Sequence, residues 1–410
     1  MSSRNQARSY WFIVLPAAAL LMIVMGSRQS QGLFLSPLNT STGLGIATIS
    51  LAMAIGQFVW GAVQPIAGAI ADRYGPGRVL AGGILLLALG SAITPFMTTS
   101  AGLVFSLGIL IAAGSGAGSF SVLIGSAARH MPPEKRGMAA GIINAGGSFG
   151  QFVFAPITQR LISGLGWMGA MWSIALIALA ALPITRTLRG KPATAAEQAR
   201  SMAANPVDKG MRAARREAMK DRSYLLLHAG FFTCGFHIAF LITHLPGEVQ
   251  LCGQSAQVAS WSLAIIGLAN ILGSLLAGWG TQRYRSKLIL FWMYSSRALL
   301  ILIYLAAPKT ALTFYLFAAG LGLTWLATVP PTATIVGKLF GTRYLATLFG
   351  LTLLSHQTGA FLGAWLGGLA VVNLGDYTVM WYLDAGLAAF AALVNLPIRE
   401  ARVVPKLQPA

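Results

Sequence analysis

The sequence predicts an all-α membrane protein with twelve transmembrane helices in two pseudo-symmetric six-helix bundles. Hydrophobic residues occupy 56% of the 410 positions and charged residues only 10%, and the mean hydropathy is +0.69. Apolar runs of about 20 residues, the length that crosses a bilayer as a helix, recur along the chain. A long polar loop separates the first six runs from the last six. This composition excludes an ordinary soluble domain.

The apolar runs set the order of the predicted helices. Each run is bounded by polar or glycine-containing loops, so each predicts one crossing of the membrane. The predicted ranges are 11–35, 45–70, 79–97, 102–128, 138–162, 167–188, 223–248, 257–280, 288–307, 312–338, 346–370 and 378–398. They divide the chain into an N-terminal bundle (1–188), a basic linker (189–222) and a C-terminal bundle (223–410).

The linker carries more basic than acidic residues. Nine Lys and Arg but only four Asp and Glu lie between 189 and 222. Met211, Ala214 and Ala218 recur there at helical spacing, opposite Arg212 and Arg215. Two interpretations stay open, a short amphipathic helix on an anionic lipid surface and a solvated tether. The first implies membrane lipids as a partner.

The distribution of the basic residues predicts how the chain is oriented in the membrane. A net charge of +19 could indicate a nucleic-acid partner, but the charges are spread over short loops, so none is expected. With the N-terminus in the cytoplasm, all but four of the 29 Lys and Arg fall in cytoplasmic segments. The exceptions are Arg28, Arg160, Arg297 and Lys309. The positive-inside rule therefore predicts that both termini are cytoplasmic.

The two halves share an internal repeat. A shift of 209 residues superposes glycines and a proline of the first half on the same residue types in the second. The matched pairs are Gly26 and Gly235, Pro37 and Pro246, Gly141 and Gly350, and Gly150 and Gly359. A duplicated six-helix unit explains that register. One residue further out, "GAIADRYGPGR" (68–78) corresponds to "GWGTQRYRSK" (278–287).

The loop after the second helix carries a motif, G-x-x-x-D-R-x-G followed by a basic residue. It is matched by Gly68, Asp72, Arg73, Gly75 and Arg78. Together with the six-plus-six layout, this motif resembles that of the major facilitator superfamily, and the resemblance covers essentially the whole chain. It implies a monomeric carrier whose halves rock about a central site. It also implies that Gly68, Asp72, Arg73 and Arg78 form a cytoplasmic latch favouring the outward-open state. In the second half, Gln282 stands where the acid would be.

A narrower resemblance is to bacterial carriers of the monocarboxylate and oxalate/formate type. It rests on "SRQSQGLF", "GFFTCGFHIAFLITHLPG" and "FGTRYLATLFGLTLLSHQTGAFLGAWLGG", and implies a transporter of the bacterial inner membrane. Monocarboxylate carriers have an acidic motif where this first helix has "GSRQSQGLF", and an arginine in the eighth helix where this chain has Asn270. The Gly-Pro pair that drug/proton antiporters carry in the fifth helix is missing from "GIINAGGSFGQFVFAP".

Arg28 places a charge inside the first predicted helix. It precedes Pro37 by nine residues, about 13 Å along a helix, which is near the middle of the membrane. The offset of 209 puts His237 at the same depth in the seventh helix. A charge there is costly unless it faces a partner or a wet cavity, so we expect the two to face each other and bind an anion. Arg28 offers a bidentate fork for a carboxylate, and His237 can exchange a proton. A structural role for either residue is the alternative.

Further polar residues inside the spans either line the site or make hydrogen bonds between helices. The candidate substrate contacts are Gln57, Asn144, Gln151, Asn270 and Trp325. His356 and Asp384 join His237 as candidates for proton coupling, and Asp384 is the only acid well inside a span. Arg297 is expected to hold the scaffold through an internal polar contact, with Asp384 as one possible partner.

These features predict a secondary active transporter that moves a small organic anion, in the first place a monocarboxylate, with protons by alternating access. The alternative is a proton-coupled exporter of drugs or other amphipathic small molecules. An enzyme is not expected, because the sequence has no metal-spaced ligand cluster, nucleophile elbow or phosphate loop. No cofactor is predicted.

Overall fold

The described part of the chain is helical almost throughout. The structure, a computed structural model, describes residues 3–129, 133–188, 210–341 and 345–400. We number the membrane-spanning helices α1 to α12. In the first half they are α1 (Ser3–Gln29, extended by Leu35–Thr42), α2 (Ile46–Tyr74), α3 (Pro76–Ile93), α4 (100–129), and α5 and α6, which share Pro133–Ala180. In the second half they are α7 (Arg222–Leu251), α8 (Ala256–Arg283), α9 (Ser286–Ala306), α10 (Ala311–Thr324 and Val329–Phe340), α11 (Leu345–Leu374) and α12 (Thr378–Asn395).

The number of spans is consistent with the twelve predicted. Eleven described segments are long and apolar enough to cross a membrane, and one of them, Ala139–Thr187, runs for 49 residues. One crossing needs about 20 residues. This segment is interrupted at Gly166, whose φ of 71° lies in the left-handed region that favours glycine. Gly166 therefore marks the boundary between α5 and α6.

Helix α10 corresponds to the span predicted over 312–338, but it contains a break. Its first part ends at Thr324 and its second begins at Val329. Pro330 and Pro331 follow the break directly. Proline lacks the amide hydrogen that continues a helix, but it fits the first turn of a new one. The sequence signal for the break was therefore present within the predicted span.

The linker is helical over Gly210–Ala218. Arg215 and Arg216 are exposed on it while Ala218 is buried, as the amphipathic interpretation expects. The preceding residues, 189–209, lie outside the described part of the chain. Binding of this helix to a lipid surface stays a prediction.

Each half packs around a hydrophobic core of its own. One cluster of buried residues runs from Val14 to Leu188 and lies within the first half. A second is built almost wholly from the other half, with Leu33 and Ala155 reaching into it. A third, small cluster joins Ala54 of the first half to Ala239, Ala360 and Ala364 of the second. The two large cores suit two bundles that move as units.

The halves meet at one end of the molecule. We call the end that holds Arg73, Arg283 and Glu400 the basic end, and the opposite end the distal end. On α11, toward the distal end, a Cβ added to Gly368 would collide with Ser50 of α2. Gly32, after α1, similarly lies against the carbonyl oxygens of Ile242 and Thr243 in α7.

Glycines near the basic end have open space instead. An added Cβ would meet nothing within 4 Å at Gly68, Gly141, Gly278 or Gly350. No neighbouring helix of the described structure is therefore packed tightly against Gly68 in this conformation. The halves are in contact at the distal end and apart where these glycines lie.

Candidate functional site

Arg28 is buried beside α2, near the end of α1. Its side chain is only 7% exposed. Its Nη2 donates a hydrogen bond to Oε1 of Gln57, and the guanidinium lies 4.1 Å from the centre of the Trp60 ring. Gln57 and Trp60 are three residues apart and so share one face of α2. The structure thus brings Arg28 together with the predicted Gln57 and adds Trp60, which the sequence reasoning missed.

The second half approaches Arg28 through α11. Gln357 packs its Cγ against Gly61, into the space that a side chain would fill. Its Nε2 lies 3.2 Å from Nδ1 of His356, the residue before it on the same helix. His356 is itself buried.

Several buried polar atoms near these helices have no partner among the described residues. They are Oγ of Ser27, Nε1 of Trp60, Nε2 of Gln151 and Oε1 of Gln357. Most buried polar atoms in proteins are hydrogen-bonded, so each exception calls for an explanation. Three of the four can donate a hydrogen bond, as the binding of an anion would require.

The neutral candidates mainly connect helices. Gln29 donates to Gln151 at 3.0 Å, linking α1 to α5. Asn270 donates to Ser148 at 2.8 Å, linking α8 to α5. Asn144 lies one turn before Ser148, half-buried, and has no polar contact among the described residues. Gln151 and Asn270 therefore take part in hydrogen bonds between helices, while their contact with a substrate stays a prediction.

His237 pairs with Asp384. Its Nδ1 lies 2.5 Å from Oδ2 of Asp384 on α12, and neither side chain is exposed. Trp325 packs edge-on against the imidazole at 5.9 Å. The structure thus joins His237 to Asp384, a contact that the internal repeat did not predict. That His237 and Arg28 face each other across a site stays a prediction.

Arg297 supports the break in α10. Its Nη2 donates to the carbonyl oxygen of Thr324 at 2.6 Å and to that of Trp325 at 3.3 Å. From the other side, the amide of Leu326 donates to Oδ1 of Asn270 at 2.9 Å. Carbonyls at the end of a helix have no partner within it, so a cation there is well placed. Arg297 thus has the structural contact that was expected, but with the backbone, since Asp384 is held by His237.

The predicted latch lies at the open basic end. Arg73 and Arg78 are exposed, and Arg73 stacks on Tyr74 at 5.3 Å. Asp72 belongs to α2, but its side chain lies outside the described part of the structure. No role for these residues follows from this conformation alone.

The C-terminal half has a charge cluster at the basic end that the sequence reasoning missed. Glu400 accepts hydrogen bonds from the backbone amides of Ser286 at 2.9 Å and Lys287 at 3.1 Å, and pairs with Lys338 at 2.5 Å. Burial raises the pKa of this carboxyl, but these hydrogen bonds outweigh it, so the pKa lies below its ordinary value. The acid absent at Gln282 is supplied instead from beyond α12, at the N-terminus of α9.

Comparison with known proteins identifies the family. The model of the Major Facilitator Superfamily matches residues 17–355 and 249–409. The chain belongs to the major facilitator superfamily. As a member of the superfamily it is a multi-pass membrane transporter and not an enzyme.

Relatives in this superfamily include carriers of small anions by name. The chain is 26% identical to monocarboxylate transporter 13 of Bos taurus, over 94% of this chain and 89% of that protein. It is 23% identical to the oxalate:formate antiporter of Oxalobacter formigenes, over 93% and 89%. The crystal structure of a D-xylose-proton symporter superposes with a TM-score of 0.74 at 16% identity, over 95% and 98%. That likeness shows the shared major facilitator fold.

Proposed function

We propose that this superfamily member carries a small organic anion, in the first place a monocarboxylate, together with protons across the bacterial inner membrane. The observation that carries the proposal is the environment of Arg28. Its hydrogen-bond partner among the described residues is the neutral Gln57, and no acid pairs with it. A buried cation without a counterion is costly, so an anionic ligand would offset that cost.

The chemistry of Arg28 favours a carboxylate. A guanidinium presents a planar fork of donors that matches two carboxylate oxygens. Trp60 backs the guanidinium, and its unpartnered Nε1 offers a further donor. One buried arginine suits one carboxylate. The names of the monocarboxylate and oxalate:formate relatives support the same class.

Two groups support a role for protons. The first is His356, a buried imidazole on α11 beside Gln357, which can gain and lose a proton. The pair of His237 and Asp384 can share a second proton within the C-terminal bundle. Both sites lie in the half opposite Arg28, so binding would draw the halves together.

The distribution of basic residues supports an inward-facing conformation, in which the site is open toward the cytoplasm. We place the basic end in the cytoplasm, since all but four of the basic residues fall in the segments at that end. The open glycines then lie at the cytoplasmic mouth. In the opposite conformation, Gly68, Asp72, Arg73 and Arg78 would close that mouth.

Uptake into proteoliposomes tests the proposal. Radiolabelled monocarboxylates would be offered with and without an imposed inward proton gradient, beside a dicarboxylate and an organic cation. Gradient-dependent uptake of a monocarboxylate is expected, with loss of uptake in Arg28→Gln. Arg186→Gln, an exposed arginine at the basic end, is the matched control. Uptake of the cation with no uptake of any anion would instead support the drug-exporter alternative.

A further inference from the structure

A cleft lies between the two halves toward the distal end. It has a volume of about 340 Å³ and is bounded by one helix from each half, α5 and α8. Its polar lining consists of Gln159, Arg160 and Ser163 on α5 and Gln257, Ser260 and Trp261 on α8. Nothing in the proposed transport path uses these residues.

Three donors in this cleft are free. Among the described residues, the side chains of Arg160, Gln257 and Trp261 make no hydrogen bond or ion pair. Ser163 and Ser260 are instead bonded to carbonyl oxygens of their own helices. Gln257 and Trp261 are four residues apart and share one face of α8. The free donors thus face each other from the two halves.

Arg160 also differs from the other three basic residues that fall outside the predicted cytoplasmic segments. Arg28 bonds Gln57, Arg297 bonds carbonyl oxygens of α10, and Lys309 bonds the carbonyl oxygens of Tyr304, Leu305 and Ala307. Arg160 alone of these four has no partner in the described structure. Its charge is therefore available to a ligand.

We propose that this cleft binds the phosphate-bearing headgroup of an anionic phospholipid from the leaflet at the distal end. An arginine matches phosphate oxygens bidentately, and an arginine near the surface of an anionic membrane is attracted to its lipids. Tryptophan is typical of the headgroup level of a membrane. The free amide of Gln257 can donate to a phosphate or glycerol oxygen. This site is independent of the substrate proposed above.

The position of the cleft gives the lipid a conformational effect. A headgroup held by α5 and α8 at once contacts both halves while they are together at this end. Separation of the halves would part the donors, so the lipid has a higher affinity for the conformation seen here. A ligand with such differential affinity shifts the population toward the state it prefers. Anionic lipid in that leaflet therefore favours the conformation that is closed at the distal end.

Binding of defined lipids to the full-length protein tests the site. The purified protein in detergent would be titrated with phosphatidylglycerol or phosphatidylcholine, and bound lipid counted by native mass spectrometry. We expect preferential retention of phosphatidylglycerol and about a fivefold loss of affinity in Arg160→Gln, the usual contribution of one basic residue near anionic lipid. Arg160→Lys should keep part of the affinity, and Arg186→Gln should keep all of it.

Two further results would overturn the proposal. Equal affinity of Arg160→Gln and the unmodified protein for phosphatidylglycerol would exclude Arg160 as a ligand. Displacement of the lipid by excess inorganic phosphate would show a site for free anions instead. Because Arg160 is exposed and makes no hydrogen bond or ion pair in the described structure, its substitution is not expected to impair folding. The melting temperature would check this.

Discussion

At the scale of single residues, Arg28 combines burial with a neutral partner. A lysine would preserve the charge but present a point ammonium in place of a planar fork. We expect Arg28→Lys to weaken the apparent affinity for a monocarboxylate about tenfold, equivalent to one hydrogen bond to a charged group. The concentration dependence of proton-driven uptake measures this, with Arg186→Lys as control. An unchanged affinity would rule out bidentate binding at Arg28.

The pair of His237 and Asp384 gives a second prediction at this scale. Asp384→Asn removes a titratable group while leaving Arg28 and its surroundings in place. Uphill uptake driven by a pH gradient should fall at least tenfold, whereas exchange of labelled for unlabelled anion should continue. His228→Gln is the control. His228 lies on α7, the helix that carries His237, and its Nδ1 is 2.6 Å from the hydroxyl of the neutral Ser355. Retained gradient-driven uptake would contradict the role of the pair.

Stability provides a check on that pair. Removing one partner of a buried ion pair costs about 3–5 kcal/mol, because the other group stays buried and uncompensated. The double variant His237→Gln with Asp384→Asn should therefore melt above either single variant. Equal or additive losses would mean that the two residues are not energetically coupled.

At the scale of elements, the broken helix α10 depends on its neighbours. Arg297 satisfies two carbonyl oxygens on one side of the break, and Asn270 binds an amide on the other. Arg297→Met keeps much of the volume but leaves those carbonyls unpaired. We expect it to lower the free energy of unfolding by about 2–4 kcal/mol, the cost of leaving buried polar groups unsatisfied. Thermal unfolding in detergent measures this, and an unchanged melting temperature would contradict it.

The N-terminus of α9 gives a prediction about pH. The folded-state pKa of Glu400 lies below its ordinary value of 4.5. The contact thus stabilises the protein above that value, and the stabilisation is lost as the pH falls through the lower folded-state pKa. At neutral pH, Glu400→Gln should unfold at a lower temperature than the unmodified protein, and the difference should shrink on acidification. Glu217→Gln, exposed on the linker helix, should show neither effect.

Most of the elements could be predicted from the sequence, but most of their lateral contacts could not. Runs of apolar residues gave the spans, since length and hydropathy are local properties. The repeat did not predict the partner of His237, because Asp384 lies 147 positions away on another helix. Glu400 was missed for the same reason. The contact of Gln57 with Arg28 was not predicted either, although the sequence had singled out both residues as candidates.

At the scale of the whole molecule, the glycines divide into two sets. Gly32 lies where a Cβ would meet backbone carbonyl oxygens of α7, which cannot move aside as a side chain can. Gly278, on α8, has open space around it in this conformation. In a carrier whose halves rock, contacts made at one end are broken when the other end closes. The two positions should therefore bias the equilibrium in opposite directions.

We expect Gly32→Ala to open the distal end and Gly278→Ala to leave it closed. Ser50, buried at the distal contact, would be replaced by cysteine in a Cys252→Ser background and treated with a membrane-impermeant maleimide. Gly32→Ala should raise the labelling rate at least fivefold, because the clash acts only while the halves are together at that end. Gly278→Ala should not raise it, since its added methyl has room here. Equal labelling of both variants would mean that the distal contact does not govern access, and that the halves move differently from two rigid bundles.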